Sequence, residues 1–305
     1  MRAFAVVGFL LASILLARCE TPDRSVEPET ASRRIVVMAP AAAEMVHALG
    51  ASDRVVGIGD FVFRPASIAG LPKVGAYNTP NVEQVLTLGT ELLITSSSQA
   101  GAAAHERLES LGVTVLALDT STYDGVFSSL IAVGRALGRE EEARVLDERI
   151  RDGLRAIRER AADAPARRVL FVVGRDPVYV AGPGSHIDEM VSMVGGTNVA
   201  HDALSAYERV SLEAVLERMP EVVIDASDGR ANAPRGRRNG DWGRWEFLPA
   251  VEARRVYWVD PERLVIPGIR LPEMALLMGR LIQPEIFGEP SDDELGSLAA
   301  EPRAE

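Results

Sequence analysis

Residues 140–160 read EEEARVLDERIRDGLRAIRER. Apolar side chains fall at Ala143, Leu146, Ile150, Leu154 and Ile157, three or four residues apart, among mostly charged neighbours. That period predicts an amphipathic helix with a single apolar stripe. At 1.5 Å per residue it would be about 30 Å long, the width of a small domain. Its acidic start and arginine-rich end match the helix dipole. No proline interrupts Tyr123 to Arg160, and Pro165 ends the stretch, so 122–163 reads as a linking helical region. Short apolar runs lie on either side of it. Before it come RIVVM (34–38), VVGIG (55–59), LLITSS (92–97) and VTVLAL (113–118), and after it RVLFVV (168–173), VVIDA (222–226) and VYWVD (256–260). Helix-like segments separate them. After the first run, Pro40 suits a first helical turn, Met45, Val46 and Leu49 share a face, and Gly50 suits a C-terminal cap. Strands alternating with helices predict parallel sheets with crossover helices. The expected fold class is therefore α/β, with two Rossmann-like lobes (34–121 and 164–287) joined by one long helix.

Met1-Arg2 is followed by AFAVVGFLLASILLA, fifteen uncharged residues, then Arg18-Cys19. About 20 apolar residues are needed to span a bilayer, so this run suits a secretory signal over 1–19. A cysteine at that place resembles a bacterial lipoprotein signal, in which Cys19 would be lipidated. Arg18 stands where a small residue is expected, and ordinary cleavage nearby is the alternative reading. Either way the chain is expected to be exported, periplasmic and without nucleic-acid partners. Residues 20–33 read as a polar tether and 288–305 as a disordered acidic tail.

The 305 residues carry 33 Lys+Arg against 44 Asp+Glu, a net charge of −11, which disfavours a nucleic-acid-holding role. A single cysteine excludes an internal disulfide and any cysteine-based zinc cluster. Lys73 is the only lysine, which reads as codon bias toward arginine without functional weight.

The two lobes share a repeat. NVEQVLTLGTELLIT (81–95) and SLEAVLERMPEVVID (211–225) superpose without a gap at an offset of 130. Glu83 matches Glu213, Val85-Leu86 matches Val215-Leu216, and Glu91 matches Glu221. One glutamate near a helix start is explained by the dipole. Matching glutamates in two lobes point instead to docking on two positive groups of a symmetric partner.

The runs at 34–61 (RIVVMAPAAAEMVHALGASDRVVGIGDF), 71–97 (LPKVGAYNTPNVEQVLTLGTELLITSS), 182–200, 207–227 and 258–288 together resemble the periplasmic substrate-binding proteins of ABC importers for cobalamin, haem and ferric siderophores. The resemblance covers about residues 33–288 in order. It implies a ligand cleft between two lobes bridged by one long helix, a monomer, and no enzymatic activity. It also implies that Glu83 and Glu213 dock onto arginines of a permease dimer that works with an ATPase. Ala39 to Ala43 depart from the hydroxyl residues common there.

Loops at the carboxyl ends of strands are where α/β folds bind ligands. Tyr77 and Asn78, six and five residues before Glu83, occupy a place where, by the resemblance, cobalamin-binding relatives put an aromatic against the corrin. A phenol at Tyr77 would equally ligate haem iron. Asp60, Phe61 and Phe63 follow the second strand, and Arg175 and Tyr179 follow RVLFVV. Trp242 and Trp245 lie in a basic loop (228–246) that either closes over the ligand or is a solvated insertion. Arg270 matches an arginine of the relatives. His186, in GPGSHIDE, reads as a helix start, with axial haem ligation left open. No resident cofactor, metal site or catalytic residue is expected; the cargo is a metal chelate. Cobalamin ranks first, haem or a ferric siderophore second, and a chelatase-like enzyme third. A stiff linking helix predicts small lobe movement on binding.

Overall fold

The computed structural model describes residues 34–97, 99–227, 236–237 and 240–295. The signal segment, Cys19, the tether and most of the basic loop lie outside the described residues.

The first half runs β1 (Ile35–Val37), α1 (Pro40–Ala48), β2 (Val55–Ile58), β3 (Gly75–Ala76), β4 (Thr79–Pro80), α2 (Val82–Thr87), β5 (Leu92–Ser96), α3 (Ala102–Ser110) and β6 (Thr114–Leu118). Its sheet is all parallel in the order β2-β1-β5-β6, with β3 and β4 forming a separate small hairpin. Then come α4 (Tyr123–Leu137) and α5 (Glu140–Arg160). The linking region is thus two helices, because Gly138 takes φ +69° and caps α4 in the left-handed region.

The second half runs β7 (Arg167–Arg175), β8 (Val178–Ala181), α6 (His186–Met193), β9 (Gly196–Asn198), β10 (Tyr207–Arg209), α7 (Leu212–Glu217), β11 (Val222–Asp225), β12 (Gly236–Arg237), α8 (Pro249–Glu252), β13 (Val256–Trp258), α9 (Pro261–Leu264), α10 (Leu271–Ile282) and α11 (Pro284–Phe287). This sheet has the order β10-β8-β7-β11-β13-β12, with β9 also on β7. Its centre, β7-β11-β13, is parallel, and β8, β10 and β12 add antiparallel edges. Two α/β lobes and a long helix are the observed architecture.

Successive residues of a strand face opposite sides of the sheet. Ile35 and Val37 enter one apolar cluster and Val36 and Met38 another. In the second sheet Val169, Phe171, Val222, Ile224 and Tyr257 enter that same first cluster, while Leu170, Val172, Val223 and Trp258 face an outer one. The first cluster therefore lies between the two sheets. It also takes up Ala143, Ile150 and Leu154 of α5 and Met274, Leu277, Met278 and Leu281 of α10. The lobes share one central apolar layer.

The chain does not leave this body at Gly288. The Leu295 side chain is buried, Glu294 pairs with Arg280, and Asp293 O accepts from Arg263 Nη2 at 3.1 Å. The expected disordered tail is corrected by these contacts: packing and ion pairing hold the chain down as far as 295, and 296–305 lie outside the described residues.

Candidate ligand cleft and docking helices

A shallow, open cleft is lined by Pro40, Glu44, Phe61, Phe63 and Arg64 from the first half and Glu262, Ile266 and Arg270 from the second. Its floor is ionic. Arg270 Nε donates to both carboxylate oxygens of Glu44, at 2.9 and 3.1 Å, and Nη2 donates to Glu262 O at 3.2 Å. At the rim Arg64 Nη2 pairs with Glu262 at 2.7 Å, with both side chains substantially exposed. An exposed pair of this kind contributes about 0–1 kcal/mol, so a ligand can displace it at little cost. The first wall is aromatic: Phe61 and Phe63 leave 55% and 59% of their surface open, while Val62 between them is fully buried. Asp60 is exposed on the same turn, and its N–H donates to Gly75 O at 2.9 Å. Lys73 Nζ donates to the carbonyls of Val62 (2.7 Å), Gly59 (3.2 Å) and Asp60 (3.4 Å). Burial lowers the Lys73 pKa, and the nearby Asp60 carboxylate opposes this.

Of the residues expected from sequence, Phe61, Phe63 and Arg270 meet in this cleft. Tyr77 and Asn78 form the two-residue turn of the β3–β4 hairpin, outside its lining, with the Tyr77 ring exposed. Tyr179 is an exposed ring on β8, also outside the lining. Arg175 ends β7 and belongs to a second cluster. Its Nε donates to the buried Asp225 at 2.8 Å, and its guanidinium lies 4.4 Å from the Trp258 ring and 5.4 Å from the Trp242 ring. Trp242 Nε1 donates to the same Asp225 oxygen at 2.9 Å, and Ser227 N–H reaches the other at 3.2 Å. Trp242 is only 2% exposed, so its expected ligand contact is corrected: the ring anchors its segment in the outer apolar cluster. Trp245 packs beside it, ring centroids 5.5 Å apart.

Sequence reasoning missed Pro40, Glu44, Arg64, Glu262 and Ile266. Arg64 and Glu262 are 198 residues apart, and nothing local to either announces the other. His186 does begin α6 behind the Ser185 cap, but it is buried with both ring nitrogens engaged. Nε2 faces Leu264 O at 3.2 Å and Nδ1 faces the Tyr207 hydroxyl at 3.4 Å, which closes the axial-ligand reading. Burial lowers its pKa to about 4. Among the described residues no group of three or more His, Cys, Asp or Glu could hold a metal ion, and no helix is long and apolar enough to cross a membrane.

The repeat seen in sequence is a repeat in space. Glu83 is the second residue of α2 and Glu213 the second of α7, and both are exposed. Asn81 Oδ1 accepts from Gln84 N–H at 3.1 Å, and Ser211 Oγ accepts from Ala214 N–H at 3.2 Å. Each six-residue helix buries one residue, Val85 or Val215. The exits match as well. Gly89 and Met219 take φ of +60° and +48°. Arg34 donates its N–H to Glu91 (2.9 Å) and its Nε to Leu88 O (2.8 Å), and Arg168 does the same to Glu221 (2.9 Å) and Met219 O (3.0 Å).

Against known proteins, the family model described as periplasmic binding protein matches residues 35–262. The chain belongs to that family. This periplasmic binding protein is similar to YvrC of Bacillus subtilis, an uncharacterized ABC transporter substrate-binding lipoprotein, at 28% identity over 94% of this chain and 99% of that one. It is 26% identical to the vitamin B12-binding protein of Vibrio cholerae serotype O1, over 82% of this chain and 88% of the other. The crystal structure of the periplasmic heme-binding protein HutB of Vibrio cholerae aligns with a TM-score of 0.74 at 25% identity, covering 83% of this chain and all of that one. These are binding proteins and not enzymes.

Proposed function

We propose that this periplasmic binding protein captures a metal chelate in the cleft between its lobes and delivers it to an ABC permease dimer driven by its ATPase, with a corrinoid as the favoured cargo. The carrying observation is a cleft walled from both lobes, with two open phenylalanine rings on one side and a displaceable Arg64–Glu262 pair at the rim. A tetrapyrrole-sized disc would seat its edge between these walls and extend across the mouth. Stacking and burial would supply affinity without a covalent step. Glu83 and Glu213, exposed on matching helices, are the proposed docking points. Cys19 is the proposed lipid-anchor site.

Haem is the second reading, favoured by the likeness to HutB and by the exposed phenol of Tyr77, on the hairpin whose Gly75 O accepts from Asp60 N–H. Absorbance titration of the mature protein with cyanocobalamin, haemin and a ferric siderophore tests the ranking. Saturable binding of cyanocobalamin is expected. Binding of haemin alone, with a Soret shift lost in Tyr77→Ala, overturns the corrinoid assignment.

A further inference from the structure

The only lysine in the sequence stands where three backbone carbonyls converge; the other 32 of the 33 Lys+Arg residues are arginine. That placement contradicts the reading of Lys73 as a residue of composition. An ammonium carries three donors on a tetrahedral nitrogen and can serve three acceptors around one point. A guanidinium is planar, with its donors spread as a rigid fork, and does not fit such a cradle. The chain's single departure from arginine falls at this three-carbonyl cradle.

The cradle is the turn that carries the cleft's aromatic wall. Phe61 and Phe63 are more than half exposed, so packing alone does not hold them. Three ties hold the turn instead. Gly59 sits so close to β1 that a Cβ would lie 2.3 Å from Met38 O, and its N–H donates to Val37 O at 2.8 Å. Val62 is fully buried between the two rings. Lys73 Nζ then gathers the carbonyls of Gly59, Asp60 and Val62 and lies 4.9 Å from the Phe63 ring centroid. The lysine is itself fixed. Its backbone bridges Ile58, flanked by Ile58 N–H to Pro72 O and Val74 N–H to Ile58 O, both 2.9 Å. The nitrogen is thereby referenced to the sheet, and the turn to the nitrogen.

We propose that Lys73 is the positioning residue of the ligand cleft, holding the 59–63 turn in the one shape that presents Phe61 and Phe63 together to the cargo. This rests on the cleft being the ligand site. Lys73 contributes shape and not charge to the ligand, since its donors are spent on carbonyls and it lies behind the lining.

The test uses Lys73→Arg and Lys73→Met in the mature protein with two readouts. Hydrogen exchange without ligand is expected to rise about tenfold at the 60–63 amides in both variants and to stay unchanged at residues 44–49 and 271–278. Affinity for whichever of cyanocobalamin and haemin the wild type binds is expected to fall about tenfold in both, equivalent to about 1.4 kcal/mol. Failure of Lys73→Arg to rescue separates positioning from a role for positive charge. Unchanged exchange at 60–63, or wild-type affinity in Lys73→Arg, overturns the proposal. Raised exchange in variants of a wild type that binds neither probe supports the tie and sinks the corrinoid and haem readings instead, so the two fail separately. Should Lys73→Met not fold, acetylating this lysine in folded wild-type protein is expected to raise exchange at 60–63 in the same way, and no rise would overturn the proposal.

Discussion

His186 gives a pH dependence that can be worked through. The neutral ring donates Nε2–H to Leu264 O and accepts the Tyr207 hydroxyl at Nδ1, and burial lowers its pKa from 6.5 to about 4. The unfolded chain takes up the proton near pH 6.5, while the folded chain resists until about pH 4. Stability from this group is therefore complete above pH 6.5 and is lost progressively as pH falls toward 4. At 1.36 kcal/mol per pKa unit the whole loss is about 3 kcal/mol, of which about 2 kcal/mol has gone by pH 5. With a urea m-value of about 2–3 kcal/mol/M, the midpoint should drop by roughly 0.7–1 M between pH 7.5 and 5. Other groups titrate too. Glu189, whose pKa is raised chiefly by burial, acts in the opposite sense, and the lowered carboxylates of Asp119, Glu285 and Glu294 lose their contribution at still lower pH. His186→Gln removes the titration and keeps a donor for Leu264 O, so the difference between the two proteins isolates it. Urea titrations of both at pH 7.5, 6 and 5 are the assay. Equal midpoint losses in wild type and variant would refute a histidine buried in its neutral form.

Two further outcomes are expected. Reversing both proposed docking carboxylates, Glu83→Arg with Glu213→Arg, should abolish permease-dependent uptake and leave ligand titrations unchanged, at a stability cost of about 0.3–1 kcal/mol per helix from the dipole; unchanged uptake would count against docking. Leu154→Ala, a truncation in the central layer, should cost about 2–5 kcal/mol and lower the midpoints by tryptophan fluorescence and by far-ultraviolet circular dichroism together. All three tryptophans lie in the second lobe, so separated midpoints would show that the lobes unfold independently.

The parallel strands were legible because both faces of each are buried, which makes them continuous apolar runs: RIVVM contains β1 and VVIDA contains β11. The long helix was legible to the residue, Glu140–Arg160, because its stripe and its charged ends agree. The edge strands were not. Tyr207–Arg209 is three mostly polar residues whose strand character exists only through pairing with β8. In the cleft, exposed aromatics after a strand pointed to Phe61 and Phe63. Tryptophans in a basic loop misled for Trp242, since the buried partner that claims its N–H, Asp225, is 17 residues away in sequence. Lys73 was visible as a count, but its meaning depends on three carbonyls that only the folded turn assembles.

The apolar layer common to both sheets bears on how cargo is handed over. Spreading the lobes would tear a continuous interior and wet it, so thermal motion alone cannot easily widen the mouth. On the expectation of small lobe movement, a carrier built this way would reorganise little when it loads. The same property makes unloading the difficult half of the cycle. The force that parts the walls has to be applied from outside, and under the proposed docking it would enter through the two short helices that carry Glu83 and Glu213.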